Sequence, residues 1–209
     1  MSTDERDDLR NRPALETVIA AHVGFVDAFG FVVLGGFFVA SVDATTTQTG
    51  VAFSLSTPSV LGPLAAILGG FLAGVIAATL AGRHWPSRQV AGALAVTTTA
   101  LAAGGLVGHF FDARVALGFT LAVAMGAANT LVDPAGLLVD LARDLSDRLH
   151  SSDRTRRWTR SLLLWTAVTL GAVVGAVVAH RCGTDTAWIA EGGALAVTLY
   201  TVGAARARS

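Results

Sequence analysis

The chain has 209 residues, of which 53% are apolar and only 14% charged, and its mean hydropathy is +0.60. An ordinary soluble domain carries about 25% charged residues, so this composition argues against a water-soluble globule and for an integral membrane protein. The 15 basic residues, all arginine, balance 15 acidic ones, which leaves no basic domain for nucleic acid. One cysteine, Cys182, leaves no intramolecular disulfide.

Residues 1–13, "MSTDERDDLRNRP", are polar and of mixed charge and are expected to form a cytoplasmic tail. They lack the basic start and short apolar stretch of a cleaved leader, so the apolar run that follows is read as a retained span. Residues 14–205 then read as one transmembrane domain. Six windows are apolar over the roughly 20 residues that a spanning helix needs: 15–34, 60–82, 89–108, 114–132, 161–180 and 187–205. With the N-terminus inside, 13 of the 15 arginines fall on the inner side, and only Arg114 and Arg181 lie outside. The positive-inside rule therefore predicts six spans with both termini cytoplasmic, in the inner (plasma) membrane. Trp85, Trp158 and Trp188 fall at the predicted interfaces.

The first window carries His22 and Asp27. His22 reads as a satisfied interior histidine ahead of a proton relay. A carboxylate at mid-span costs about 2.5–3.5 kcal/mol on insertion scales, so Asp27 must face the bundle interior or a wet cavity. Two readings stay open: an ion or substrate site, or a carboxylate that accepts bonds from broken backbone. Gly35–Gly36 ends the span, and the segment after it is too polar at its centre to cross. A re-entrant or interfacial hairpin is expected there, because irregular backbone at membrane depth must be satisfied by protein or a cavity. Asp43 is placed to N-cap a helix through Thr45, Thr46 and Thr47; alternatively these groups line a polar vestibule.

Further along, the Gly-x-x-x-Gly pairs Gly70/Gly74 and Gly171/Gly175 predict close helix packing, within one subunit or in a homodimer. His109 and Asp112 have the spacing of a two-ligand start, but no further His or Cys cluster supports a metal, and no cofactor is expected. Residues 135–150 read as an amphipathic cytoplasmic segment. The run holding Arg154, Arg156 and Arg157 is a topology anchor that also suits anionic lipid headgroups. Glu191 lies just inside the last window, facing either the outer water layer or a partner in the bundle.

The chain repeats itself. "VGFVD" ending at Asp27 matches "MGAAN" ending at Asn129, and "GFLAG" at 70–74 matches "GAVVG" at 171–175. Repeats over about 14–108 and 114–205 would hold three spans each. Three is odd, so the second must enter from the opposite face, as in many secondary transporters. The fold expected is thus all-α: a polytopic membrane bundle of six spans in two inverted repeats, with a broken element after the first.

The block Val26-Asp27-Ala28, then Leu34-Gly35-Gly36, then Thr46, Gln48 and Gly50, resembles the opening of the YoaK-like family of small bacterial membrane proteins. "AMGAAN" (124–129) resembles that family's second signature. Ala44 and Thr45 replace the family's Gly-Asn pair, and "DLSDRL" at 144–149 replaces its second polar stretch. The resemblance implies a membrane location and fold but no substrate. No nucleophile elbow, zinc-helix motif or phosphate loop is present, so no enzyme is expected. A small secondary transporter or permease is the leading reading, with Asp27, Asp43, Thr45, Thr46, Asn129 and Glu191 as candidate solute or ion contacts. A non-transporting scaffold, lipid-associated or regulatory protein is the alternative. A polar cavity touching Asp27 would favour the first; Asp27 locked in local hydrogen bonds would favour the second.

Overall fold

The computed structural model describes residues 12–55, 57–84, 89–111, 113–134, 136–150 and 157–206. Every regular element among them is helical: α1 (Pro13–Leu34), α2 (Val42–Ser54), α3 (Pro58–His84), α4 (Gln89–Phe110), α5 (Arg114–Asn129), α6 (Leu137–His150), α7 (Arg157–Cys182) and α8 (Thr186–Arg206). A single 3-10 turn, Gly183–Asp185, joins α7 to α8. Four stretches are long and apolar enough to cross a membrane: α1, residues 59–84, α4, and a 46-residue stretch, Trp158–Gly203, that includes most of α7 and α8. α5 is apolar but has only 16 residues, about 24 Å at 1.5 Å per residue, against a hydrocarbon core of about 30 Å. The window 114–132 therefore overstates that helix. It stops at Asn129, and Leu131 and Val132 are buried in a turn that follows.

Each half of the chain has the same order of helices: a first helix, a short one of 13 or 14 residues, then two long ones. The sequence reading found the long ones and did not match α2 with α6. The most extensive packing is α1 on α7 and α3 on α5, and both depend on glycine. A Cβ on Gly24 would stand 2.1 Å from the Val168 carbonyl oxygen, and one on Gly126 would stand 2.1 Å from that of Phe71. Gly171 and Gly175 abut the carbonyls of Ala21 and Phe25, and Gly70 and Gly74 those of Phe119 and Val123. Only residues without a side chain let backbones approach so closely. These ordered contacts make α1 parallel to α7 and α3 parallel to α5.

The contact pattern also recurs. Gly24 and Gly126 are 102 positions apart, as are Ala21 and Val123; Phe71 and Val168 are 97 apart, as are Gly74 and Gly171. Contact thus places Gly74, not Gly70, at the position of Gly171. The sequence match of 70–74 with 171–175 is off by one helical turn, because glycines four residues apart align equally well after a shift of four.

Apolar side chains remain exposed in stripes, such as Leu72, Ile76 and Leu80 on α3 and Leu170, Val173, Val174 and Val177 on α7. Such a surface suits lipid rather than water.

Candidate functional site

Asp27 lies two turns before the end of α1. Its Oδ1 accepts the backbone N–H groups of Val39 and Ala40, each at 2.8 Å, and its Oδ2 accepts the Ser41 hydroxyl at 3.0 Å. A carboxylate accepts only, and here its three donors come from the seven-residue break between α1 and α2. The break begins at Gly35 and Gly36, whose φ of 78° and 104° lie in the left-handed region that other residues rarely adopt. The N–H of Gly36 returns to the Phe31 carbonyl at 2.8 Å and closes the helix end. Gln48 on α2 reaches back to the Gly36 carbonyl at 2.9 Å.

Asn129, at the end of α5, meets the same segment from the other side. Its Nδ2 donates to the Ala40 carbonyl at 3.0 Å, while its Oδ1 is buried without a hydrogen-bond partner. Asp27 and Asn129 are thus linked through backbone rather than by a hydrogen bond to each other. They hold opposite edges of one residue, Ala40.

The other candidates fall elsewhere. Asp43 is not the cap: α2 starts at Val42, its N-cap is Ser41, no side chain caps it, and Asp43 is an exposed first-turn residue. The break ends earlier than expected because Asp27 already holds residues 39–41. Thr45 is fully buried, and its hydroxyl donates to the carbonyls of Phe38 at 2.9 Å and Ser41 at 3.3 Å, so it braces the break. Thr46 is exposed. Asp27 is thus held by Ser41 and by backbone N–H groups. Glu191 is half-buried on α8 and lines none of the cavities described below. Gly70, Gly74, Gly171 and Gly175 are packing positions, as described above. His109 sits 3.3 Å from Asp185, while Asp112 lies outside the described residues. Arg154 and Arg156 are also outside them, as is the side chain of Arg157.

Two partly open cavities lie at opposite ends of α1. One, of about 180 Å³, is lined by Leu34, Phe37, Pro63, Ile67, Arg114 and Gly118. The other, of about 260 Å³, is polar; it is lined by Glu16, Asn129–Asp133, Leu137, Asp140, Arg160 and Leu164. Glu16 is 5% exposed and accepts both Nε (2.9 Å) and NH2 of Arg160 in a two-pronged ion pair. A fork-to-fork pair of this kind is the geometry in which a buried carboxylate is best compensated. The sequence reading missed Glu16 and treated Arg160 only as an anchor. The available signal was an acid in the first turn of an apolar helix. The start of α1 shares the polar cavity with the end of α5, while Leu34, at the end of α1, meets Gly118 near the start of α5. The two helices therefore run antiparallel.

A family model described as "Protein of unknown function (DUF1275)" matches residues 15–200. The chain belongs to the DUF1275 family. The YoaK-like resemblance is consistent with that membership. No curated protein and no solved structure shows a significant match to the chain. The family description names no activity.

Proposed function

We propose that this DUF1275 protein is a small permease built of two inverted halves. The observation that carries the reading is the position of the break between α1 and α2. Phe37 lines the apolar cavity at one end, and Ala40, three residues on, is bonded to Asn129 of the polar cavity at the other. The segment between is a barrier, and Asp27 holds it. The matched glycine contacts, the antiparallel course of α1 and α5 and the paired cavities support the inversion. With six spans and the N-terminus inside, the polar cavity opens to the cytoplasm and Arg114 lies at the outer mouth. Both termini and the α6 segment are then cytoplasmic. Arg154, Arg156 and Arg157 meet anionic headgroups there.

In this reading Asp27 is a latch rather than the ion site, and the solute meets Glu16, Asn129 and Arg160. Uptake of a metabolite panel into proteoliposomes is the test. Wild-type protein should accumulate at least one solute above empty vesicles, and Glu16→Gln should cut that uptake about tenfold or more. Asp27→Ala should free the barrier and turn accumulation into leak. No flux of any panel solute through well-folded wild-type protein would refute the permease.

A non-transporting scaffold is favoured by one observation. The carboxylate of Asp27 is satisfied by its own loop and does not line the polar cavity. A scaffold should show no flux, and Asp27→Asn should be nearly silent in it.

A further inference from the structure

A third space, of about 420 Å³, opens between α1, α7 and α8 and is lined by Val18, His22, Phe25, Leu170, Ile189 and Gly193, among other residues. That volume is within the range of small-molecule pockets, and apolar walls around a few polar groups are their usual composition. His22 is the one titratable residue of this lining, and its Nε2 is buried without a hydrogen-bond partner. An unmade hydrogen bond in such surroundings is unfavourable, and a ligand that makes it recovers that free energy. Gly193 lies against the ring, where an added Cβ would stand 3.3 Å from Nδ1, so the absence of a side chain there leaves the groove deep.

Contact register sharpens the point. The position 102 residues beyond His22 is Ala124, fully buried between α3, α4 and α5. There Thr97 of α4 donates to the Ala124 carbonyl at 3.3 Å and the helices close together. The open groove lies beside α1, where a histidine stands at the position of that alanine.

We propose that this groove binds a lipid-soluble carbonyl compound, with the ligand oxygen accepting a bond from the His22 ring N–H. Depth selects the class. His22 is nine residues past Pro13 in a 22-residue helix, hence about 13 Å along it at 1.5 Å per residue and near the middle of a hydrocarbon core about 30 Å thick. A phosphate headgroup stays at the surface and cannot place an oxygen there. A quinone-like or terpenoid carbonyl carried within the bilayer can.

The test uses the full chain in phosphatidylcholine nanodiscs, titrated with a benzoquinone bearing a ten-carbon tail and read by quenching of tryptophan fluorescence. Trp165 and Trp188 lie on α7 and α8. Wild type should show a saturable component. His22→Leu should weaken it about tenfold, the equivalent of one neutral hydrogen bond near 1.4 kcal/mol. His22→Gln, which keeps a donor, should stay within about threefold of wild type. Gly193→Leu should remove the saturable component while helicity by circular dichroism is unchanged; if that variant fails to fold, Val18→Phe at the mouth should act alike. Quenching that rises linearly with probe in wild type means partition into lipid only and overturns the proposal. Saturable binding indifferent to both His22→Leu and the filling variant does the same. So does a wild-type dimer that binds no probe and dissociates on Gly193→Leu, since a second copy would then fill the groove.

Discussion

The two helix pairs at the centre of this bundle differ where they meet their third helix. Beside α3 and α5, α4 packs close, sealed by Thr97 against Ala124. Beside α1 and α7, α8 stands off and leaves the groove at His22. Close packing of backbones needs small residues on both faces, and one large ring at the position of an alanine is enough to hold a helix away. The ends of α1 differ in the same manner. Glu16 and Arg160 make one cavity polar, while at the other Gly118 and Pro63 stand 102 residues beyond Glu16 and 97 before Arg160. Similar backbone contacts therefore carry different chemistry in the two halves.

Removing the ion pair should have the largest effect. Glu16→Ala leaves the Arg160 guanidinium facing a polar cavity without its carboxylate, and breaking a buried pair costs about 3–5 kcal/mol. Because Arg160 is 35% exposed at its side chain, the lower end is expected. Gly118→Ala at the matching position of the apolar cavity should cost under about 1 kcal/mol, since the nearest atoms to its Cβ would be flexible side-chain ends at 3.4 Å or more. Thermal unfolding in detergent measures both, and equal losses would break the contrast between the ends.

The matched glycines come next. Gly24→Ala and Gly126→Ala should each destabilise by about 1–3 kcal/mol, the usual range for overpacking, and by similar amounts. Gly69→Ala is the control: nothing lies within 4 Å of its Cβ, and the gain in helix propensity is up to about 1 kcal/mol. Losses at Gly24 without any at Gly126 would show that the two pairs do not carry equal loads.

The smallest effects belong to the hydroxyls. Thr97→Val loses the bond that seals α4 to α5 and should cost about 0.5–1.5 kcal/mol. Thr98 and Thr198 bond across α4 and α8 at 3.0 Å; their coupling in a double-mutant cycle should be about 0.5–1 kcal/mol. A coupling of zero would mean that this contact adds nothing at the junction of the two halves.

The sequence by itself determined the solvent and the parts. Low charge and long apolar runs allow helices in lipid and little else, because unpaired backbone is too costly there. The break at Gly35–Gly36 and the need of Asp27 for polar partners were legible for the same reason. The small residues of the packing faces were legible too, but a ladder of glycines four apart does not say which turn meets which, so their register was not. Which donors Asp27 would meet, that Asn129 would take the far side of Ala40, and that Glu16 would find Arg160 were decided by tertiary structure. Those partners lie 12 to 144 residues apart along the chain, and local periodicity holds no information about contacts at such separations. The open groove at His22 was hidden for the same reason: an alanine and a histidine look alike in an apolar window until a third helix tries to close on them.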